Sequence, residues 1–265
     1  MSYLRAFSSL GCAELMLDDV LALAGRHALT RVELRALAGS TDLPAYFTRH
    51  FQTPARLAAH LRPSPVKVSA LDTSFKLGDN TPTDRAALLQ FIPWAEALGV
   101  PHLRVFDGSR LGEADSFTKI IAALGWWREL RKRNGWAVDL MVETHDAMTT
   151  TESTRLLLAA APGTAILWDT HHTWKLGGED PLRTWRALKD HIVMVHLKDS
   201  VSRPSAQHPY SYVLPGTGEF PAAPLLAVLR EEYAGVITLE WEKLWHPYLP
   251  PLEDALVSAA CRNWW

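Results

Sequence analysis

The sequence predicts a closed (β/α)8 barrel, and three observations support this prediction. Eight short apolar segments, bounded by turns and rich in β-branched residues, are typical of buried parallel strands. They alternate with longer helical segments, and this alternation favours a parallel sheet. The chain has 265 residues, about the length that eight such units need to close a barrel. An open doubly wound sheet is the alternative, but it usually carries a Gly-rich phosphate loop after the first strand, and Ser8–Cys12 is not one.

The eight predicted strands share an apolar run that ends at a turn or at a polar residue. In chain order they are Leu4–Gly11, Arg31–Arg35, Val66–Leu71, His102–Phe106, Val138–Glu143, Thr164–Asp169, Ile192–His196 and Val236–Glu240. A long segment rich in Ser, Pro and Gly, Ser200–Gly218, follows the seventh strand and is expected to be a loop.

The predicted helices follow from periodicity, capping and stop signals. Their order is Ala13–His27, Pro44–Leu61, Thr83–Leu98, Asp115–Asn134, Thr151–Ala161, Pro181–Asp190, Phe220–Tyr233 and Leu252–Trp264. Pro54 suits a helix start. Thr83 can cap the third helix, while Pro93 should kink it or divide it in two. The basic residues before Gly135 suit the end of the fourth helix because cations are stabilised at a helix C-terminus.

Four of the later strands end in a side chain that can bind a metal ion: Glu143, Asp169, His196 and Glu240. Burying an unpaired charge is costly, so these groups need partners. The carboxyl ends of the strands meet at one mouth of a barrel, and active sites lie there. We therefore expect the four side chains to share one site.

Three carboxylates and one imidazole form a mainly oxygen ligand set. This set suits one divalent ion, either Mn²⁺, Mg²⁺ or Co²⁺, and it tolerates Zn²⁺. Because the ligands carry more negative charge than one such ion neutralises, we expect the metal-free site to have raised carboxylate pKa values. The alternative interpretation is that each carboxylate forms a salt bridge at the barrel rim and that the histidine is a hydrogen-bonded structural residue. Four such positions on successive strands favour the metal site.

Composition limits the classes of function. The formal net charge is −2, which gives no basic surface for nucleic acid or for an anionic membrane. No apolar run reaches the length of a transmembrane helix, and the N-terminus does not read as a signal peptide. Two distant cysteines suggest reduced thiols, so we expect a cytoplasmic protein. The apolar end, Trp264-Trp265, is a candidate interface for a homo-oligomer.

The last four strand ends carry a resemblance to a known family. Val-Glu143-Thr-His145, Trp-Asp169-Thr-His-His172, Val-His196-Leu-Lys198-Asp199 and Leu-Glu240-Trp-Glu242 resemble the sugar phosphate isomerase/epimerase family. This is the xylose isomerase-like TIM barrel superfamily, which also contains apurinic endonuclease family 2. The Val32-Glu33-Leu-Arg35 strand and the Gly216-Thr-Gly218-Glu219-Phe220 turn are similar as well. The resemblance covers essentially the whole chain, and it implies a single domain over residues 1–265.

The resemblance implies residue roles. By similarity to the ketose epimerases, Glu143, Asp169, His196 and Glu240 would bind the metal, and the two glutamates would also act as the acid/base pair. His172 would contact substrate. We further expect His145 or Lys198 to hold a substrate hydroxyl, with a salt bridge from Lys198 to Asp199 or Glu242 as the alternative. Trp174 could form a wall of the pocket, whereas Trp241 is expected to pack between barrel and helices.

Several functions remain open at this point. The first is a metal-dependent isomerase or epimerase acting on a small sugar, sugar phosphate or polyol through an enediolate. The His196-Leu-Lys-Asp199 sequence resembles the branch that contains inosose dehydratase, so a lyase using the same site is the alternative. An apurinic endonuclease-like phosphodiesterase is disfavoured because the residues for a trinuclear site are missing. A non-catalytic sugar-binding barrel is disfavoured by the four intact ligands.

Overall fold

Eight parallel strands form the barrel predicted from the sequence. The computed structural model describes residues 3–108 and 114–265. Its strands are β1 Leu4–Phe7, β2 Arg31–Leu34, β3 Lys67–Lys76, β4 His102–Phe106, β5 Asp139–Glu143, β6 Ala165–Asp169, β7 Ile192–Leu197, β8 Asp199–Val201, β9 Ser211–Val213 and β10 Val236–Leu239. Strands β8 and β9 form a separate antiparallel hairpin, and the other eight follow the order β1-β10-β7-β6-β5-β4-β3-β2.

A backbone bridge at the carboxyl ends of β1 and β2 joins the two edges of the sheet. Ser8 pairs with Glu33 in parallel orientation, so the eight-stranded order returns on itself. Beneath this level the interior is filled by a small apolar cluster of Ala70, Met141 and Leu167 together with Met194. Polar side chains occupy the interior on the carboxyl side of that cluster.

The helices lie between the strands and cover the barrel. Their bounds are α1 Leu17–Arg26, α2 Leu43–Phe51, α3 Pro54–Leu61, α4 Pro82–Leu89, α5 Ile92–Leu98, α6 Ala114–Asn134, α7 Thr151–Ala160, α8 Pro181–Leu188, α9 Ala222–Glu232 and α10 Leu252–Cys261. Their apolar faces join the strands in one extended core. No helix within the described ranges is long and apolar enough to cross a membrane.

Prolines and caps explain where the helices differ from the predictions. The expected Pro44–Leu61 helix is two helices, and Pro54 begins the second. Pro93 also divides the next predicted helix, as expected. Thr81 rather than Thr83 caps α4, because its hydroxyl accepts the Asp84 N–H while the Asp84 carboxylate accepts the Thr81 N–H.

Three further expectations differ from the structure. The first strand stops at Phe7, and a 3-10 turn over Ser9–Cys12 follows it. The segment expected to be an irregular loop after β7 contains the β8–β9 hairpin. Trp264 and Trp265 are each only 6% exposed and belong to the core, so they do not form an exposed interface. Trp241 is buried as predicted, and its indole N–H donates to the Pro250 carbonyl.

Candidate metal centre and active site

The four predicted metal ligands lie together at the carboxyl ends of their strands. Glu143 ends β5, Asp169 ends β6, His196 lies in β7, and Glu240 directly follows β10. Each offers one ligand atom, these atoms all lie within 4.8 Å of one another, and all four residues are buried. This spacing could place the four groups around one ion.

The His196 ring is oriented by a second buried carboxylate. Its Nε2 lies 2.9 and 3.0 Å from the two Glu33 oxygens. Its Nδ1 faces Glu240 Oε2 at 3.3 Å and Glu143 Oε1 at 3.7 Å. Burial would lower the pKa of His196, but Glu240 and Glu33 raise it well above the ordinary value, so without a metal the ring is an imidazolium. An ionised carboxylate only accepts hydrogen bonds, so in the neutral imidazole that a metal would bind, Glu33 keeps the ring proton on Nε2. Nδ1 would then offer its lone pair to a cation placed between Glu143 and Glu240.

Nearby cations set the pKa values of the two glutamates. Burial alone would raise the pKa of Glu143, but the Arg104 guanidinium lowers it to about 2. Burial likewise opposes the shift of Glu240, yet His196 and Lys198 hold its pKa well below the ordinary value. The expectation of raised carboxylate pKa values was therefore wrong for these two residues. It neglected the three cationic side chains that the barrel brings to them.

Lys198 connects the cluster to the barrel mouth. Its Nζ lies 2.7 Å from Asp169 Oδ2, 2.5 Å from Glu240 Oε2 and 2.5 Å from Glu242 Oε1. The Tyr212 hydroxyl donates to the same Glu242 oxygen at 3.0 Å. The expected salt bridge with Glu242 is present, whereas Asp199 has other partners. The ammonium thus contacts two of the proposed ligands at once.

Two predicted substrate-binding histidines lie beside the cluster. His172 Nδ1 is 3.0 Å from the Thr144 carbonyl and 3.3 Å from Asp169 Oδ2. The His145 ring packs edge-on against His172 at 4.8 Å. Burial would lower the pKa of His145, but its hydrogen bond with Asp146 helps to raise it to about 9. Substrate contact by either histidine stays a prediction.

Trp174 packs against two aromatic rings and one lysine. Its ring packs on His171 and Phe220, with centroid distances of 5.6 and 5.4 Å, and Lys175 Nζ lies 4.6 Å from its centroid. None of these neighbours is one of the four proposed ligands. A role for Trp174 as a pocket wall stays a prediction.

Asp199 fills an anion-binding turn with its own carboxylate. Oδ2 accepts the N–H groups of Gly216 and Gly218 at 2.9 Å each, and Oδ1 accepts those of Ser200 at 2.9 Å and Phe220 at 3.1 Å. Burial raises the pKa of this carboxyl, and the four N–H donors oppose that rise. A Cβ on Gly218 would collide with Asp199, so glycine is required there. This loop is a common phosphate site in barrels, and here a side chain takes that place.

Sequence reasoning assigned no role to the charged groups on the earlier strands. Glu33, Arg35, Asp72 and Arg104 are all buried in the barrel interior. Arg104 lies 3.6 Å from Asp72 Oδ2 and 3.4 Å from Glu143 Oε2. The available signal was a charged residue at a single inward position of an otherwise apolar strand, as in His102-Leu-Arg-Val-Phe106.

A second group of metal-capable side chains lies near the mouth. It consists of Asp107, His145 and Asp146, of which only Asp107 is fully buried. The Asp107 oxygens accept the backbone N–H groups of Asp146 and Ala147 at 2.9 Å each. These hydrogen bonds explain the position of Asp107 as a loop anchor.

Fold and site together define a (β/α)8 barrel with a buried carboxylate–imidazole cluster, able to hold a metal ion, at the carboxyl ends of its strands. Residues 23–260 match the xylose isomerase-like TIM barrel family. The chain therefore belongs to that family. No curated protein matches the sequence significantly.

Solved structures support the same fold. A probable 3-DHS dehydratase, AsbF, from Bacillus anthracis has a TM-score of 0.77 and 18% identity, over 99% of this chain and 100% of that one. An IOLI protein with a bound zinc atom has a TM-score of 0.74 and 16% identity, over 98% and 96% of the two chains. An AP endonuclease of family 2 from Brucella melitensis has a TM-score of 0.68 and 15% identity, over 98% of each chain. At these identities the similarity establishes the fold.

Proposed function

We propose that the chain is a divalent-metal-dependent isomerase or epimerase acting on a small sugar or polyol ketone. The observation that carries this proposal is the buried convergence of Glu143, Asp169, His196 Nδ1 and Glu240 at one barrel mouth. These four residues would hold the ion, either Mn²⁺, Mg²⁺, Co²⁺ or Zn²⁺. When bound, the ion supplies a positive charge that polarises a carbonyl and favours loss of the neighbouring C–H proton.

The two glutamates are suited to move that proton. They project from β5 and from the end of β10, so they approach the cluster from different walls. Their lowered pKa values keep both carboxylates ionised at neutral pH, which is the form that can accept a proton. One glutamate would remove the proton beside the carbonyl and, in an isomerisation, would return it to the neighbouring carbon. In an epimerisation the second glutamate would take a proton from water and deliver it to the opposite face of the same carbon, while the first would release its proton to water.

Lys198, His172 and His145 are proposed to hold the substrate during this transfer. The Lys198 ammonium contacts Glu240 and can donate a hydrogen bond to an oxygen that gains negative charge. His172 and His145 form an edge of the same site. Trp174 is proposed as an outer wall that packs on C–H faces of the substrate.

Dehydration is the second candidate function, and Lys198 favours it. An ammonium 2.5 Å from the proposed acid/base Glu240 could help deliver a proton to a hydroxyl that leaves after C–H removal. The fold similarity to a probable dehydratase is compatible with this reaction. An apurinic endonuclease-like activity has less support, because the second metal-capable group is already hydrogen-bonded as a loop anchor.

Proton exchange in heavy water tests the proposal and separates the two reactions. The metal-loaded protein would be incubated in D₂O with ketohexoses, ketopentoses and inososes, and the products followed by NMR. Deuterium incorporation beside the carbonyl without loss of water supports an isomerase or epimerase, whereas loss of water supports the lyase. Purified protein that binds neither Mn²⁺ nor Zn²⁺ would overturn both.

The remaining attributes follow from surface and composition. We propose a cytoplasmic enzyme with a small-molecule substrate and without a nucleic-acid partner, because the net charge of −2 provides no basic field. A gel-shift experiment with abasic duplex DNA checks the second point, and we expect no complex at physiological salt.

A further inference from the structure

Arg35 is a buried cation whose hydrogen-bonding capacity is largely unused. It directly follows β2 and is 5% exposed. Its Nη2 donates to Ser74 Oγ at 2.9 Å. Its Nε and Nη1 are buried and have no hydrogen-bond partner among residues 3–108 and 114–265. Leaving a buried charged donor unsatisfied is expensive, so this arrangement needs an explanation.

The second buried arginine of the barrel shows what a compensated guanidinium looks like here. Arg104 on β4 has carboxylate oxygens on two sides, Asp72 at 3.6 Å and Glu143 at 3.4 Å, and it stacks on Phe106. Arg35 has no ion pair within the described part of the chain, only the Ser74 hydroxyl. Burial and the neighbouring Arg104 lower the pKa of Arg35 to about 10, as expected where positive charge exceeds its local compensation.

Arg35 faces the same interior as the metal cluster. Glu33, two residues earlier on the strand, points inward and bonds His196, and side chains two apart in an extended chain share a face. The charges of Glu143 and Glu240 act on the Arg35 guanidinium. In the barrel order, β2 lies across the interior from β6, which carries Asp169. A small molecule held at the cluster would therefore extend toward Arg35.

We propose that Arg35, with Ser74, binds a carboxylate of the substrate, which makes the substrate a small polyhydroxy acid carrying a ketone rather than a neutral sugar. This inference rests on the proposed function and names its substrate class. A carboxylate supplies one negative charge and acceptor oxygens for the free N–H groups. A phosphate group carries more charge than one guanidinium and one hydroxyl compensate, and the anion-binding turn after β7 is filled by Asp199.

Three ligands with one six-carbon chain test this assignment: D-gluconate, D-glucitol and D-glucitol 6-phosphate. Binding to the Mn²⁺-loaded protein would be measured by titration calorimetry. We expect gluconate to bind at least about tenfold more tightly than glucitol, because its carboxylate can accept charge-assisted hydrogen bonds that the hydroxyl of glucitol cannot form as strongly. Arg35→Met should abolish this preference and leave glucitol binding unchanged. Chelation of Mn²⁺ in solution is the same for both proteins and cancels in the comparison.

Stability measurements with a matched arginine provide the control. Arg35→Met should keep or raise the melting temperature, because no ion pair is lost. Arg104→Met should lower it, because two carboxylates lose their counterion. If Arg35→Met lowers the melting temperature as much as Arg104→Met does, Arg35 is structural and the assignment is wrong. Should Arg35→Met not fold, Arg35→Lys replaces it, because this variant keeps the charge but loses the paired N–H groups; an unchanged ratio of gluconate to glucitol affinity in that variant would overturn the assignment.

Failure of this inference differs from failure of the proposed function. Equal binding of gluconate and glucitol, or tighter binding of the 6-phosphate, would overturn the carboxylate assignment. If neutral ketoses then exchange deuterium normally, the proposed function stands without it. If the protein binds no divalent ion and no ligand of the three, both are overturned.

Discussion

Buried carboxylates at the carboxyl ends of the strands are satisfied in two different ways. The Asp199 carboxylate accepts four backbone N–H groups of its own loop. Glu143, Asp169 and Glu240 instead face the imidazole of His196 and the side chains of Lys198 and Arg104. Saturation by fixed amides marks a structural role. Clustering around side chains that have further capacity marks a site for a ligand.

The largest expected effect is a loss of catalysis when a carboxylate of the proposed metal site is changed. Glu240→Gln keeps the size of the side chain but removes its charge and its basicity. We expect kcat for deuterium exchange to fall by roughly 10³-fold, while the melting temperature stays within a few degrees. Glu253→Gln, an exposed carboxylate on α10, is the matched control and should react normally. Normal turnover by Glu240→Gln would place Glu240 outside the acid/base pair.

The next largest effect is a loss of stability when the Asp199 carboxylate is removed. Asp199→Ala leaves four N–H groups without their acceptor, so we expect the free energy of unfolding to fall by about 3 kcal/mol. Urea denaturation measures this loss. Metal affinity should change less than about threefold, since Asp199 contacts no proposed ligand and its effect is local. If Asp199→Ala keeps its free energy of unfolding but loses its affinity for the metal, Asp199 belongs to the metal site and has no structural role.

A smaller effect, on metal affinity, is expected at Glu33. This residue is not a proposed ligand, but its carboxylate orients the His196 ring. In Glu33→Gln the side-chain amide can either accept a hydrogen bond from the His196 ring or donate one to it, so it no longer fixes the ring proton on Nε2. We expect affinity for Zn²⁺ to fall about 10- to 100-fold, measured with a competing chelator. The ¹⁵N shifts of His196 in the loaded protein would show a changed tautomer ratio. Unchanged shifts together with unchanged affinity would contradict a positioning role.

The smallest expected effect is a pH dependence at the opposite end of the barrel. Burial lowers the pKa of His102, and Asp139 only partly offsets that shift. The unfolded chain then binds a proton more readily than the folded chain does. Above about pH 6.5, His102 is neutral in both the folded and the unfolded chain and does not reduce the free energy of unfolding. As the pH falls below that value toward the lowered pKa of His102 in the folded protein, the unfolded chain takes up the proton first and the free energy of unfolding decreases. In His102→Gln, the decline of melting temperature between neutral pH and pH 5 should be slightly shallower, and an identical slope would exclude His102 as a contributor.

The fold and the convergence of four residues were predictable from the sequence for a simple reason. Apolar strands that each end in one polar side chain bring those side chains to one mouth, whatever the details of packing. Lys198 and Arg104 could not be placed in the same way. Their long side chains reach partners on other strands, and only the barrel registers decide which carboxylates they meet. The pKa prediction for the glutamates was wrong for that reason.

Helix boundaries and the role of Asp199 were also beyond the sequence patterns. Thr81 and Thr83 are both acceptable caps before the same helix, and the choice depends on a two-way bond with Asp84. Adjacency in the sequence makes Asp199 an apparent partner for Lys198. Neighbouring residues in an extended chain point in opposite directions, and Asp199 meets a turn that comes from a distant part of the loop.

The Asp199 turn also suggests how this barrel could be redirected toward a new specificity. Its backbone already directs four N–H groups at a carboxylate, and Gly218 leaves no room for a side chain there. Shortening residue 199 to Gly would expose that cradle to an incoming oxyanion, at a cost in stability that a bound phosphate ester could partly restore. Laboratory evolution toward phosphorylated compounds would therefore have a natural first step at this position.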